Sequence, residues 1–150
     1  GGFGAVYTAD PALSAQIGCP LGFALPYPAA VQSFERGTMI YLGTSPASIY
    51  VLYNTGAYTR YPDTFVDGVD PTSAGETPPP NLFEPIRGFG KVWRANPAVR
   101  SGLGWAAQPE AGTTATLLLF QSGQMIALPP IGQVAVLTSI GTFRLISGSY

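Results

Sequence analysis

Self-similarity is the feature that most limits how this chain can fold, because a repeated segment must build two like units whose apolar faces cover one another. Gly2-Phe3-Gly4 recurs as Gly88-Phe89-Gly90, Val6-Tyr7 as Val92-Trp93, Pro11 as Pro97 and Gly18 as Gly104, all at a spacing of 86 residues. Phe34, Gly37, Met39, Ile40 and Leu42 recur at the same spacing as Phe120, Gly123, Met125, Ile126 and Leu128. After a slip of one residue, Val51-Leu52, Gly56 and Tyr58 return as Val136-Leu137, Gly141 and Phe143. Chance likeness between two apolar stretches does not keep register this well. The expected organisation is a first repeat over residues 1–61, a connector over 62–87 and a second repeat over 88–150.

Within each copy the local signals run in the same order. Asp10-Pro11 and Asn96-Pro97 read as a capping residue followed by proline in the first helical turn, where its missing amide hydrogen does no harm. Short helices are predicted to Ile17 and Leu103, ended by Gly18 and Gly104 in the left-handed capping position. Strands then alternate with turns. Val31 to Phe34 and Thr38 to Leu42 flank Glu35-Arg36-Gly37, and Ile49 to Tyr53 and Ala57 to Tyr61 flank Asn54-Thr55-Gly56. Turns at Gln121-Ser122-Gly123 and Ser139-Ile140-Gly141 repeat the plan. The predicted class is mainly β with short helices (α+β), each pseudo-symmetric repeat being one short helix plus a small antiparallel meander. Val6, Phe34, Met39, Val51, Leu52, Tyr58 and their counterparts form the predicted core, which the two copies either share or complete each against a neighbour. The connector holds Pro71, Pro78, Pro79 and Pro80, so it is expected to lie extended along a surface or to reach a neighbouring molecule.

Composition narrows the function. Charged residues are 10% of the 150-residue chain, against roughly 25% in ordinary soluble domains, and the formal net charge is -1. Such a surface has little self-repulsion and tends to associate. Arg87, Lys91, Arg94 and Arg100 fall close together but are too few to neutralise a row of phosphates, so nucleic acid is not an expected partner. No apolar run is long enough for a transmembrane segment. Cys19, the single cysteine, has no intrachain partner, and its apolar neighbours suggest a buried thiol. The chain opens on Gly1 rather than Met, as expected of a processed or excerpted form.

Ile17-Gly18-Cys19-Pro20 and Leu103-Gly104-Trp105-Ala106, each followed by a Phe-x-x-Gly-x-Met-Ile turn, resemble LGFP-type repeats, although the second copy has Ala106 in the proline position. The longer pattern from Ser33-Phe34-Glu35-Arg36-Gly37 through Ile49-Tyr50-Val51-Leu52-Tyr53 to Arg87-Gly88-Phe89-Gly90 is similar to secreted bacterial tandem-repeat proteins. The resemblance implies an extracellular or cell-surface location and, as a partner, cell-wall polysaccharide.

Catalytic chemistry has few candidates. Histidine is absent, which removes the usual general base and the Ser-His arrangements. Glu35, Glu84 and Glu110 are the acids left for a paired-carboxylate hydrolase, and Glu35 falls in a turn whose counterpart is Gln121, as a solvated turn residue would. No catalytic residue and no cofactor is expected. Asp63, Asp67 and Asp70 are a weak calcium candidate that lacks the spacing of an EF-hand loop. Tyr41, Tyr50 and Tyr53 are the candidate ligand or subunit contacts. Their counterparts are Ala127, Ala135 and Thr138, so the shared fold does not need rings there, and an exposed tyrosine offers a stacking face with a polar tip. Trp93 and Trp105 are expected in the core. The sequence therefore points to a non-catalytic module, either a self-associating cell-surface or filament subunit whose partners are other copies of itself, or a glycan-binding anchor.

Overall fold

The computed structural model describes residues 2–150, folded mainly as antiparallel sheet with four short helices. Two helices, α1 (Gly4–Ala9) and α2 (Pro11–Ile17), precede four strands, β1 (Leu25–Phe34), β2 (Gly37–Leu42), β3 (Ser48–Tyr53) and β4 (Tyr58–Pro62). After the connector come α3 (Arg87–Ala95), α4 (Pro97–Leu103), β5 (Ala111–Phe120), β6 (Gly123–Leu128), β7 (Gln133–Thr138) and β8 (Phe143–Ser147), with a 3-10 turn at Pro129–Ile131. Each half thus carries two helices where the sequence led us to expect one. Of the additional pair, α3 contains Gly88-Phe89-Gly90 and α1 starts at the last residue of Gly2-Phe3-Gly4, and glycine weakens intrinsic helicity. Packing overrides that preference, since Phe3 and Val6 in one half and Phe89, Val92 and Trp93 in the other are buried one turn apart.

All eight strands form one sheet in the order β4-β3-β2-β1-β5-β6-β7-β8. The two halves meet where β1 pairs antiparallel with β5, and Pro28 lies opposite Thr114, its own counterpart in the other half. Strand β1 starts at Leu25, earlier than expected, and includes Pro26 and Pro28. Those prolines face away from β5: the Pro28 carbonyl accepts from Gly43 N–H at 2.7 Å on the β2 side. Their missing donors therefore fall where β2 has already ended. The sheet curls until its outer strands touch at Ala57 and Thr142, with Tyr58 N–H donating to the Gly141 carbonyl and Phe143 N–H to that of Gly56.

Side chains alternate across the strands, so the sheet has two apolar faces. The inner face packs Val31, Ile40, Leu42, Leu52, Leu117, Ile126, Leu128 and Leu137 into one core common to both halves. On the outer face the helices are exchanged. Phe89, Val92, Trp93, Val99 and Leu103 from α3 and α4 cover Met39, Ile49 and Val51 of β2 and β3. Phe3, Val6, Leu13 and Ile17 from α1 and α2 cover Met125, Ala127, Val134 and Val136 of β6 and β7. The close approach is made by glycine: a Cβ on Gly37 would stand 2.6 Å from Leu103 Cδ2, and one on Gly123 would stand 2.9 Å from Ile17 Cγ2.

The helix ends show how the exchange is held. Asp10 caps α2 by accepting from Leu13 N–H at 3.1 Å, as expected. Asn96 differs, its side-chain amide donating to the Val92 carbonyl at the end of α3. Gly18 and Gly104 have positive φ but ψ of -154 and -153°, the mirror-extended region that only glycine adopts readily, rather than the left-handed cap expected. That conformation turns the chain from each helix into pairing with the other half. The Glu35 carboxylate accepts from Trp105 N–H at 2.9 Å, and the Gln121 carbonyl oxygen accepts from Cys19 N–H at 2.9 Å. Glu35 is therefore a structural acceptor and not simply a solvated turn residue.

Candidate functional site

The three candidate tyrosines do not share a face. Tyr50 points into the inner core and is buried, its ring tilted against that of Tyr58 at 6.2 Å, so it cannot act as an exposed stacking surface. Tyr53 lies on the outer face against Gly102 of α4, where burial pushes its phenol pKa up. Tyr41 alone lines an open hollow. The physical reason is the strand alternation: Tyr50 pairs with Ile40 and so shares its inward side, whereas Tyr41 follows Ile40 and turns outward.

The aspartates are likewise separated. Asp63 accepts from Phe65 N–H at 3.1 Å in a local turn, and Asp70 accepts from Val66 N–H at 2.7 Å and pairs with Lys91 at 2.9 Å. The Lys91 ammonium, followed by the Val66 amide, holds the Asp70 carboxyl below the usual aspartate range. Asp67 is exposed, and among the described residues no group of three or more acidic, cysteine or histidine side chains is placed to hold a metal ion. The three aspartates are therefore not brought together around one point.

The remaining acids are also engaged. Glu84 pairs with Arg94 at 3.1 Å and accepts from the amides of Ala74 and Glu76, and Glu110 pairs with Arg87 at 2.6 Å. Glu76 grips Arg100 with both oxygens, at 2.6 and 3.0 Å. Arg144 pairs with Asp10, Arg36 donates to the carbonyls of Ser101 and Gly102, and Arg60 donates to Ser48 Oγ. Every lysine and arginine is thus used within the molecule. Three of them, Asp70–Lys91, Glu84–Arg94 and Glu76–Arg100, tie the connector to α3 and α4, so it lies docked on its own chain. The accessible surface of 7443 Å² agrees with this, since a folded monomer of this mass exposes about 7,300 Å².

Trp93 is buried as expected, its indole N–H donating to the Gly104 carbonyl. Trp105 is half-buried beside it at 5.3 Å, and the Arg100 guanidinium lies 4.0 Å from the Trp93 ring centre. The thiol of Cys19 is exposed rather than buried, because the segment after Gly18 runs along the end of β5 at the surface.

One surface feature was not drawn from the sequence. Leu21, Phe23, Leu25 and Leu119 are 56, 89, 52 and 48% exposed, and Leu21 N–H donates to the Leu119 carbonyl, which sets the two segments side by side. Their counterparts in the other half are Ala107, Pro109, Ala111 and Ser33, so the apolar rim exists at only one end of the molecule. The departure from internal symmetry was the available signal. Among the described residues no helix is long and apolar enough to cross a membrane. No protein-family model matches the chain, and no curated protein or solved structure matches it.

Proposed function

We propose that this chain is a non-catalytic structural module of the cell exterior that associates with further copies of itself. The observation that carries the reading is the apolar rim of Leu21, Phe23, Leu25 and Leu119 on a body with few charges, most of them paired within the chain. A contiguous apolar patch favours contact, and internally paired charges leave little repulsion to oppose it. Four such side chains supply a few hundred Å², less than the roughly 800 Å² per partner of a stable interface, so pairing through the rim alone is weak. The outermost strands β4 and β8 offer further contact, each being hydrogen-bonded along one side only apart from the touch at Ala57 and Thr142.

Sedimentation equilibrium across a wide concentration range tests the proposal. The wild-type chain is expected to show a mass that climbs with concentration, and the double variant Leu21→Gln, Phe23→Gln is expected to stay closer to monomer. A wild-type chain that remains monomeric at the highest concentrations, or a variant that associates equally well, contradicts it.

A further inference from the structure

A hollow of about 360 Å³ opens on the outer face where β1, β2 and β3 meet the start of α3. Its floor is apolar, with Ala30, Ile49 and Phe89, and Tyr41 and Phe65 form its walls. Asp63, Arg87 and Glu110 bring charge to its edge. Pockets that hold small ligands combine these parts and begin near 300 Å³.

Internal comparison shows that the fold does not require these side chains. At the corresponding positions of the other half, Tyr41 is replaced by Ala127, Asp63 by Gly148 and Glu110 by Ala24. The same strands and helices form there with nothing larger than a methyl group. The counterpart of Phe65 is Tyr150, whose ring lies over Gly2 and 5.0 Å from Phe3, and the hollow on that side, lined among others by Gly2, Val6 and Gly148, has no aromatic ring and no charged group in its lining. Arg87 adds an independent sign. Its φ is +51°, a left-handed conformation that a residue other than glycine rarely adopts. A strained arginine aimed at an open hollow beside Glu110 is expected where function has selected the side chain.

The lining chemistry selects the ligand. Arg87 and Glu110 cancel one another, and Asp63 leaves a net negative charge, so an inorganic anion would face two carboxylates. An organic cation would stack on the rings but meet the guanidinium. A neutral ring carrying hydroxyls satisfies all of it: its C–H face lies on Tyr41 and Phe65, and its hydroxyls donate to Asp63 and Glu110 and accept from Arg87. We propose that this hollow is a binding site for one neutral sugar ring, alone or at the end of a longer saccharide. The proposal stands independently of self-association, since the apolar rim shares no residue with the hollow.

Amide-resolved NMR titration with methyl β-glucoside, methyl β-galactoside and the methyl glycoside of N-acetylglucosamine tests it. With at least one of the three, shifts are expected at Ala30, Gly88 and Gly112, and affinity is expected to fall about tenfold or more, some 1.4 kcal/mol or greater, in both Tyr41→Ala and Asp63→Asn. Unperturbed shifts of β6 to β8 in each variant establish that it is folded, and Ala127 already occupies the Tyr41-equivalent place in a folded half. The proposal is overturned if none of the three sugars moves these amides, if binding maps elsewhere, if both variants bind as wild type, or if inorganic phosphate binds the hollow better than the sugars.

Discussion

Replacing Leu103 by alanine probes the helix exchange at one side chain. Leu103 ends α4 in the second half, is fully buried, and lies against Gly37 in a cluster with Met39, Ile49 and Val51 of the first half. The truncation removes three carbon groups at about 0.8 kcal/mol each, roughly 2.4 kcal/mol of transfer free energy. A cavity term adds to this, and Gly37 has no side chain with which to fill the space, so the expected total is about 3–4 kcal/mol, within the 2–5 kcal/mol spanned by such substitutions. For a chain of this size that lowers Tm by roughly 6–15 °C. Thermal unfolding gives the magnitude, and native-state amide exchange gives the location. Protection is expected to fall first at Met39 and Val51, both more than fifty residues from Leu103 in sequence, because loosening α4 uncovers β2 and β3. A loss under about 1 kcal/mol, or protection lost first in β6 and β7, refutes the reasoning.

Further outcomes follow from individual residues. Gly104→Ala places a Cβ at φ +73° and 2.7 Å from the Glu35 carboxylate, and is expected to cost about 1–3 kcal/mol in urea unfolding, whereas Gly22→Ala, also at positive φ but with open space around it, costs less. Cys19 is expected to react with a thiol reagent in the folded chain at a rate close to that of a free peptide thiol; reaction only after unfolding would contradict its exposed placement. Asp70 has a folded pKa below its unfolded one, so its contribution is complete above the ordinary aspartate pKa of about 3.9 and is lost as pH falls through the lower, folded value. Carboxyl NMR titration is expected to show Asp70 protonating below the ordinary aspartate pKa of about 3.9, and Lys91→Met is expected to bring it part of the way back, the Val66 amide still being in place.

Much of the fold was legible because residues matched at a spacing of about 86 give two readings of each element. The turns at Gly37 and Gly123, the proline starts of α2 and α4 and the core residues Met39, Val51, Met125 and Val136 all stand where the pattern places them. Helices α1 and α3 were not legible, since their glycines argue against helix and only burial of Phe3 and Phe89 makes it worthwhile. The exchange of helices could not be read either. Val6 and Val92 announce that they are buried, but nothing in their spacing says whether they cover their own strands or those of the other half. The candidate site was partly legible: comparing the copies singled out Tyr41, Tyr50 and Tyr53, while the neighbourhood of Tyr41 with Asp63, Arg87 and Glu110 depends on long-range packing. Of the cations clustered from Arg87 to Arg100, which the sequence marked only as too few for nucleic acid, Lys91, Arg94 and Arg100 fasten the connector to α3 and α4.

The exchange of helices between the halves bears most directly on everything above, and nuclear Overhauser contacts from two side chains measure it. The Ile17 γ2 methyl is expected to show a strong contact to the Gly123 α protons, and the Leu103 δ methyl one to those of Gly37. Contacts running instead from Ile17 to Gly37 and from Leu103 to Gly123 would place each helix on its own half's strands and contradict the architecture described.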